Sequence, residues 1–387
     1  MTNLVYMDHA ATTKLDKRAF EAMVPFLVED YGNPSSIYSI SRSPKAALRK
    51  ARDTVAKVIN SKSHEVYFTS GGTEANNWAI KGIAKANQSK GRHIISQKTE
   101  HYAVLSALDS LAKEGYEITL LNVDKEGLVS PMELMQRIRP DTVLVTIMAA
   151  NNEIGTLQPI GELGKICREK GVYFHTDAVQ AIGAISLDVE EMCIDALSMS
   201  AHKFYGPKGT GALYVRGGIL IDNLLDGGSQ EKGRRAGTEN VAGIAGMARA
   251  LEIALELGDE ENLRIAKLRD KLTDGLLQIP FAKLNGPSGA MRLPNNVNVS
   301  FDGIEGEELL VSLDIAGLLA SSGSACTSGA LDPSHVLMAI GNDKELSRGS
   351  LRLTLGRDNS EEDVEKAIKV VDSTISRQRA LRNGRNR

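Results

Sequence analysis

The run Leu197-Ser198-Met199-Ser200-Ala201-His202-Lys203-Phe204-Tyr205-Gly206-Pro207-Lys208-Gly209 sets a lysine between an apolar-alternating stretch and a glycine-rich turn. An amine held there becomes nucleophilic when desolvated or placed beside other cations, and can then form a Schiff base with an aldehyde cofactor. Its company decides the reading. Asp177 lies upstream, in Val172-Tyr173-Phe174-His175-Thr176-Asp177-Ala178-Val179-Gln180. A carboxylate that keeps a pyridinium nitrogen protonated is the regular partner of a lysine carrying pyridoxal phosphate (PLP). An Asp and then a Lys, each ending a predicted strand, point to that chemistry.

Other candidates gain meaning from these two. Thr69-Ser70-Gly71-Gly72-Thr73-Glu74 joins a predicted strand to a predicted helix. Such a turn frees backbone N–H groups for a phosphate, although alone it describes any tight turn. His101 opens a helix; its ring could stack on a cofactor and move protons near neutral pH, or merely satisfy local backbone. His175 shares a strand face with Asp177 and reads as a supporting or core residue. His9, His64, His93 and His335 have no such context. Asn152, in Asn151-Asn152-Glu153-Ile154-Gly155, offers a side-chain amide to a carboxylate or a phenolic oxygen, or caps a turn. Arg352 alternates with apolar residues in Ser350-Leu351-Arg352-Leu353-Thr354-Leu355, which alone reads as the solvent side of a strand. Its fork also suits a carboxylate. Cys326 sits in Ala320-Ser321-Ser322-Gly323-Ser324-Ala325-Cys326-Thr327-Ser328-Gly329. Structural cysteines prefer apolar surroundings; these small polar neighbours predict an accessible thiol, and accessible thiolates are nucleophiles. Cys167 and Cys193 read as small apolar fillers.

The elements that must position these residues alternate. Strands are predicted at 65–70, 93–96, 117–122, 142–148, 172–175, 196–200 and 211–215, with helices at 73–86, 102–113, 131–138 and 162–170 between them. That order implies a mostly parallel sheet covered on both faces. Ligands on such sheets lie beyond the carboxyl ends of the strands, where Gly72, Thr73, His101, Asn152, Asp177 and Lys203 fall. Beyond residue 243 the pattern changes to two long helices (241–256 and 261–277), then strand 296–301, helix 307–314, strand 351–355 and a helix from 361 to about 376, with Ser360 as its N-cap. The fold class is α/β, a large domain (15–258) plus a smaller α+β domain (1–14 and 259–387). The arginine-rich end is expected to fray into solvent.

Composition narrows the function. The chain has 387 residues, 25% charged and 42% apolar, with a net charge of −3. That balance does not favour nucleic acid or a membrane surface as a partner. No apolar run approaches the roughly 20 residues that span a bilayer. Three scattered cysteines without a C-x-x-C argue against a disulfide framework or a zinc site and suit a reducing cytoplasm.

Together the motifs resemble the cysteine desulfurases of the NifS/IscS type, PLP enzymes of the aspartate aminotransferase fold. The resemblance runs from Tyr6-Met7-Asp8-His9-Ala10-Ala11-Thr12-Thr13 and Tyr31-Gly32-Asn33-Pro34-Ser35-Ser36, through the runs quoted above, to Arg234-Arg235-Ala236-Gly237-Thr238-Glu239-Asn240 and residues 351–357. It implies that Lys203 is the Schiff-base lysine and Asp177 the partner of the pyridine nitrogen. Gln180 would face the phenolic oxygen, and His101 would be the stacking acid–base histidine. Thr73, Ser200 and His202, with the backbone near Gly72, would hold the phosphate. Thr238 would reach the phosphate of a neighbouring subunit, implying a homodimer. Arg352 and Asn152 would bind the substrate carboxylate, and Cys326 would receive sulfur. Gly72 and Ala75 depart from the Ala and Ser more frequent in the family, and Tyr38 from its frequent His.

The implied reaction converts L-cysteine to L-alanine and leaves a persulfide on Cys326, for delivery to an acceptor such as an iron–sulfur scaffold. Alternatives on the same fold are a selenocysteine lyase or a cysteine-sulfinate lyase, neither of which needs an attacking thiol. A non-catalytic sulfur carrier or regulatory binding protein is the alternative of another class.

Overall fold

The computed structural model describes residues 4–322 and 333–385, so Cys326 lies outside the described residues. Twelve strands occur among them: β1 (Val5–Tyr6), β2 (Val66–Thr69), β3 (His93–Gln97), β4 (Glu117–Leu121), β5 (Thr142–Thr146), β6 (Tyr173–Asp177), β7 (Ala196–Ser200), β8 (Gly211–Val215), β9 (Ala282–Leu284), β10 (Asn296–Phe301), β11 (Leu318–Leu319) and β12 (Ser350–Thr354). Seven build a central sheet in the order β2-β8-β7-β6-β5-β3-β4. All neighbours pair in parallel except β8, which runs antiparallel to β2 and β7. Successive residues of a strand enter opposite layers, as the period of two requires. Ile94 belongs to the apolar layer that holds Trp78, Ile83 and Leu108, while Ile95 belongs to the one that holds Val145, Phe174 and Tyr214.

A second apolar core gathers Val5 and Met7 with Leu268, Leu272, Val297, Phe301, Leu353 and Val371. Its sheet has the order β12-β10-β9, antiparallel throughout. The two cores share one helical stretch, Val241–Leu277. The sequence predicted two helices broken near residue 258. The structure bears this out: Gly258 leaves the helical region, with φ 59° and ψ −155°, a region essentially confined to glycine, and separates two helices that follow each other directly.

The last helix also outruns its expected end near residue 376 and continues to Arg385. Ser360 Oγ accepts from the Asp363 N–H at 3.2 Å, as predicted for its cap. Among the described residues, Arg379 and Arg382 are not frayed. Arg379 donates to the carbonyls of Pro280 and Asp302, and Arg382 to that of Gly303 and to Glu305. Unpaired carbonyls at strand and turn ends give these guanidinium groups partners that composition did not reveal. Cys167 is a buried filler as expected, whereas Cys193 is only half-buried and has φ 57°.

Helix Gly72–Asn77 packs tightly on the end of β6. A Cβ at Gly72 would lie 2.5 Å from Val179 Cγ2, and Val is stiff at χ1. Gly72→Ala is therefore expected to destabilise by about 1–3 kcal/mol in denaturant unfolding, and adding Val179→Ala to recover most of that loss.

Candidate functional site

The carboxyl ends of β5, β6 and β7, with the segments that follow β2 and β3, meet at one cleft. The cleft has a volume of about 310 Å³ and is lined by Ala10, Ala11, Gly72, Thr73, Asn76, His101, Met148, Asn152, Asp177, Val179, Gln180, Ser200, His202, Lys203 and Arg352. Ten of these are the residues named from sequence as cofactor, catalytic or substrate groups. Thr238 is exposed and outside this lining, and Cys326 lies beyond the described residues. Ser321 pairs backbone to backbone with Arg352, so the chain is at the cleft wall five positions before the cysteine.

Lys203 follows β7 on a one-turn 3-10 helix, Ala201–Lys203. Its Nζ donates to the carbonyls of Ala10 and, at 2.9 Å, Ala11. The Gln180 amide donates to the Ala10 carbonyl as well, at 3.0 Å. Thr13 locks the turn by donating to the His202 carbonyl and accepting from the Tyr205 N–H. His202 Nδ1 meets Thr12 Oγ1 at 3.1 Å; burial first, then Lys203 and Lys208, bring its imidazole down to about 4. The N-terminal segment thus frames the lysine, a role its sequence did not reveal.

Asp177 ends β6 in a buried position. Its Oδ1 accepts from the Val179 N–H at 2.9 Å and its Oδ2 from Asn76 Nδ2 at 2.5 Å. Burial raises its carboxyl; His101, these two hydrogen bonds and Lys203 oppose the rise. His101 caps helix Tyr102–Lys113, its Nδ1 accepting from the Ala103 N–H at 3.1 Å. The proton of the neutral ring therefore sits on Nε2. Burial lowers this imidazole, Asp177 opposes and Lys203 adds to the lowering. His175, as expected, is structural: it bridges Thr146 and Ser198, and burial brings it down to about 3.

Arg352 corrects its isolated reading. It is buried, not on the solvent side of β12. Its Nη2 pairs with Asp8 at 3.0 Å and its Nη1 donates to the Asn152 carbonyl at 3.2 Å. Asn152 meets the arginine through its backbone, whereas the sequence suggested its amide. Alternation could not show this, because the polar face of β12 is covered by the 8–13 segment. Asp8 and Asn76 are the residues sequence reasoning left without roles. Asn76 had a signal: it lies three residues after Thr73, on the same helical face.

The residues fit PLP. An amine stands at one side, a buried carboxylate with both oxygens anchored at another, and the donors of Thr73, Ser200 and His202 line the wall where Gly72 leaves room that no side chain could share with Val179. A planar, anionic, aldehyde-bearing group matches that donor set.

Just behind His101, Glu100 is fully buried; its Oε1 accepts from the Met148 N–H at 2.6 Å and from Gln97 at 3.0 Å. Burial pushes its carboxyl up to about 8. A carboxyl raised above its unfolded value adds stability below that unfolded value, and this is lost as pH rises through the folded one. Glu100→Gln should thus gain on the parent between pH 5 and 8, by at most about 1.4 kcal/mol per pH unit, in urea titrations at several pH values.

Comparison with known proteins places the chain. Residues 5–367 match the class-V aminotransferase family, and the chain belongs to it. It is 54% identical over 383 residues to the cysteine desulfurase IscS of Clostridium botulinum, covering 98% of this chain and 96% of that one. Among solved structures, a NifS-like protein superposes with a TM-score of 0.91 at 40% identity, covering 96% of this chain and 99% of the other. A structure of SspA in complex with cysteine gives a TM-score of 0.79 at 35% identity, covering 90% and 98%.

Proposed function

We propose that this chain is a PLP-dependent cysteine desulfurase that converts L-cysteine to L-alanine and passes the sulfur to Cys326 as a persulfide. The observation that carries the reading is the convergence of Lys203, Asp177, His101 and Arg352 on one cleft, in a chain 54% identical to a cysteine desulfurase. We divide it into a large unit, 15–258, and a small one, 1–14 with 259–387.

When bound, PLP supplies an aldehyde and an electron sink for charge developing at the substrate Cα. The protein groups do the rest. Lys203 Nζ would tether the aldehyde, and as a free amine it would take the Cα proton. Asp177 holds a negative charge toward the ring nitrogen. Thr73, Ser200 and His202 would hold the phosphate, with the Gly72 backbone, and Gln180 would serve the phenolic oxygen. The His101 imidazole would lie against the ring, and its Nε2–H would serve proton movement. Arg352, helped by Asn152, takes the substrate carboxylate. The Cys326 thiolate attacks the substrate sulfur: the C–S bond breaks, an S–S bond forms, and the Cβ gains a proton. Cysteine and a thiol thus become alanine and a persulfide, with atoms and electrons balanced.

Exposed Thr238 suits donation to the phosphate of a second copy's cleft, which makes the working unit a homodimer. An iron–sulfur scaffold or another thiol protein accepts the sulfur, and a reducing cytoplasm preserves the nucleophilic thiol. The test is incubation of the pure protein with L-cysteine, followed by mass spectrometry. Alanine production with one sulfur added to the Cys326 peptide supports the reading; alanine without that adduct turns it toward a lyase.

A further inference from the structure

Asn76 has no part in the mechanism above, yet it touches the cleft's central carboxylate. It is 1% exposed and sits one turn after Gly72 and Thr73 on a helix whose start lines the same cleft. Its Nδ2 lies 2.5 Å from Asp177 Oδ2, while the Val179 N–H holds Oδ1. An amide NH₂ can only donate. The opposite amide orientation would set Asn76 Oδ1 against a carboxylate oxygen at hydrogen-bond distance, so chemistry selects the orientation seen. That orientation leaves Oδ1 buried and unpaired, which is unusual enough to require a reason.

We propose that Asn76 is a positioning residue: its amide fixes the plane of the Asp177 carboxylate and favours its ionised form, so that the lone pairs left over face the cofactor's ring nitrogen. This rests on the PLP reading above. One donor on each oxygen stops the carboxylate from rotating. The two donors also offset part of the desolvation a buried anion suffers. The close approach of Gly72 to Val179 and the Asn76–Asp177 bond are two contacts of one docking, between helix Gly72–Asn77 and the end of β6. The helix that lines the phosphate wall therefore also sets the carboxylate at the ring's other side.

The test replaces the donor with a near-isosteric acid. In Asn76→Asp two carboxyls meet at hydrogen-bond distance, and they cannot both ionise without strong repulsion, so they share a proton. Its PLP dissociation constant, measured on the dimeric holoenzyme between about pH 6 and 9, should be near the parent's at the acidic end and weaken by about ten-fold or more as that proton is lost. Asn76→Ala should weaken retention by a similar factor at every pH and lower kcat, with KM for cysteine within about two-fold. A loss in Asn76→Asp that does not vary with pH, or parent-like values in both variants, overturns the proposal. If Asn76→Asp does not fold, judged by thermal melting, the cofactor retention and kcat-against-KM split of Asn76→Ala decide alone. Parent protein that binds no PLP would instead overturn the underlying function.

Discussion

Lys203→Ala is expected to abolish alanine formation from cysteine, with a loss of at least about 10⁴-fold, because one substitution removes both a covalent tether and a base. Borohydride reduction of the parent should lock PLP onto the Lys203 peptide, and reduction of the variant should label no lysine. A digest that places the adduct on another side chain would refute the assignment. The variant should still fold. Of the two carbonyls that Lys203 engages, that of Ala10 keeps the Gln180 amide as donor. The Ala11 carbonyl is exposed, so water replaces its contact with the amine. Thr13 continues to pin the turn through His202 and Tyr205. Loss of activity in a protein that melts within a few degrees of the parent is therefore the result that isolates the amine's chemistry.

The parts of this site that could be read in the sequence are those that local pattern controls. Parallel strands carry the residues at their carboxyl ends to one sheet edge, so Asp177, Lys203, His101 and Thr73 could be gathered from alternation alone. The residues that escaped depend on contacts between distant segments. Arg352 looked solvent-facing because alternation reports which face a side chain is on, not what covers that face; here Asp8 and the neighbouring segment cover it. The carbonyls of Ala10 and Ala11 carry no signal in their side chains. Gly258 was legible as a breaker, and its non-helical backbone does separate the two helices expected on either side of it. The Gly72 departure from the family's frequent Ala now has a physical partner in Val179, which occupies the space a methyl would need. The arginine-rich end looked frayed because no sequence rule predicts that carbonyls of residues 280, 302 and 303 lie beside it.

Cys326→Ala separates the desulfurase from its nearest rivals. The variant should bind PLP with the parent's affinity and visible spectrum, since none of the fifteen described residues lining the cleft is altered. It should nevertheless form alanine from cysteine at least about 10³-fold more slowly, because breaking the C–S bond requires a nucleophile to take the sulfur and water or a free thiol replaces it poorly. No persulfide should form on any peptide. Selenocysteine provides the contrast: its weaker carbon–selenium bond and better leaving group permit elimination without a thiol. A Cys326→Ala protein that still turns over cysteine at the parent's rate would therefore mark a lyase on this fold. One that loses cysteine turnover but keeps selenocysteine turnover would show that the cleft, from Lys203 to Arg352, activates the substrate, while the thiol alone decides where the sulfur goes. The position of Ser321 makes that division physically reasonable. It is hydrogen-bonded to the backbone of the arginine proposed to hold the substrate, so the chain bearing the thiol leaves from the wall of the cleft in which the substrate would sit.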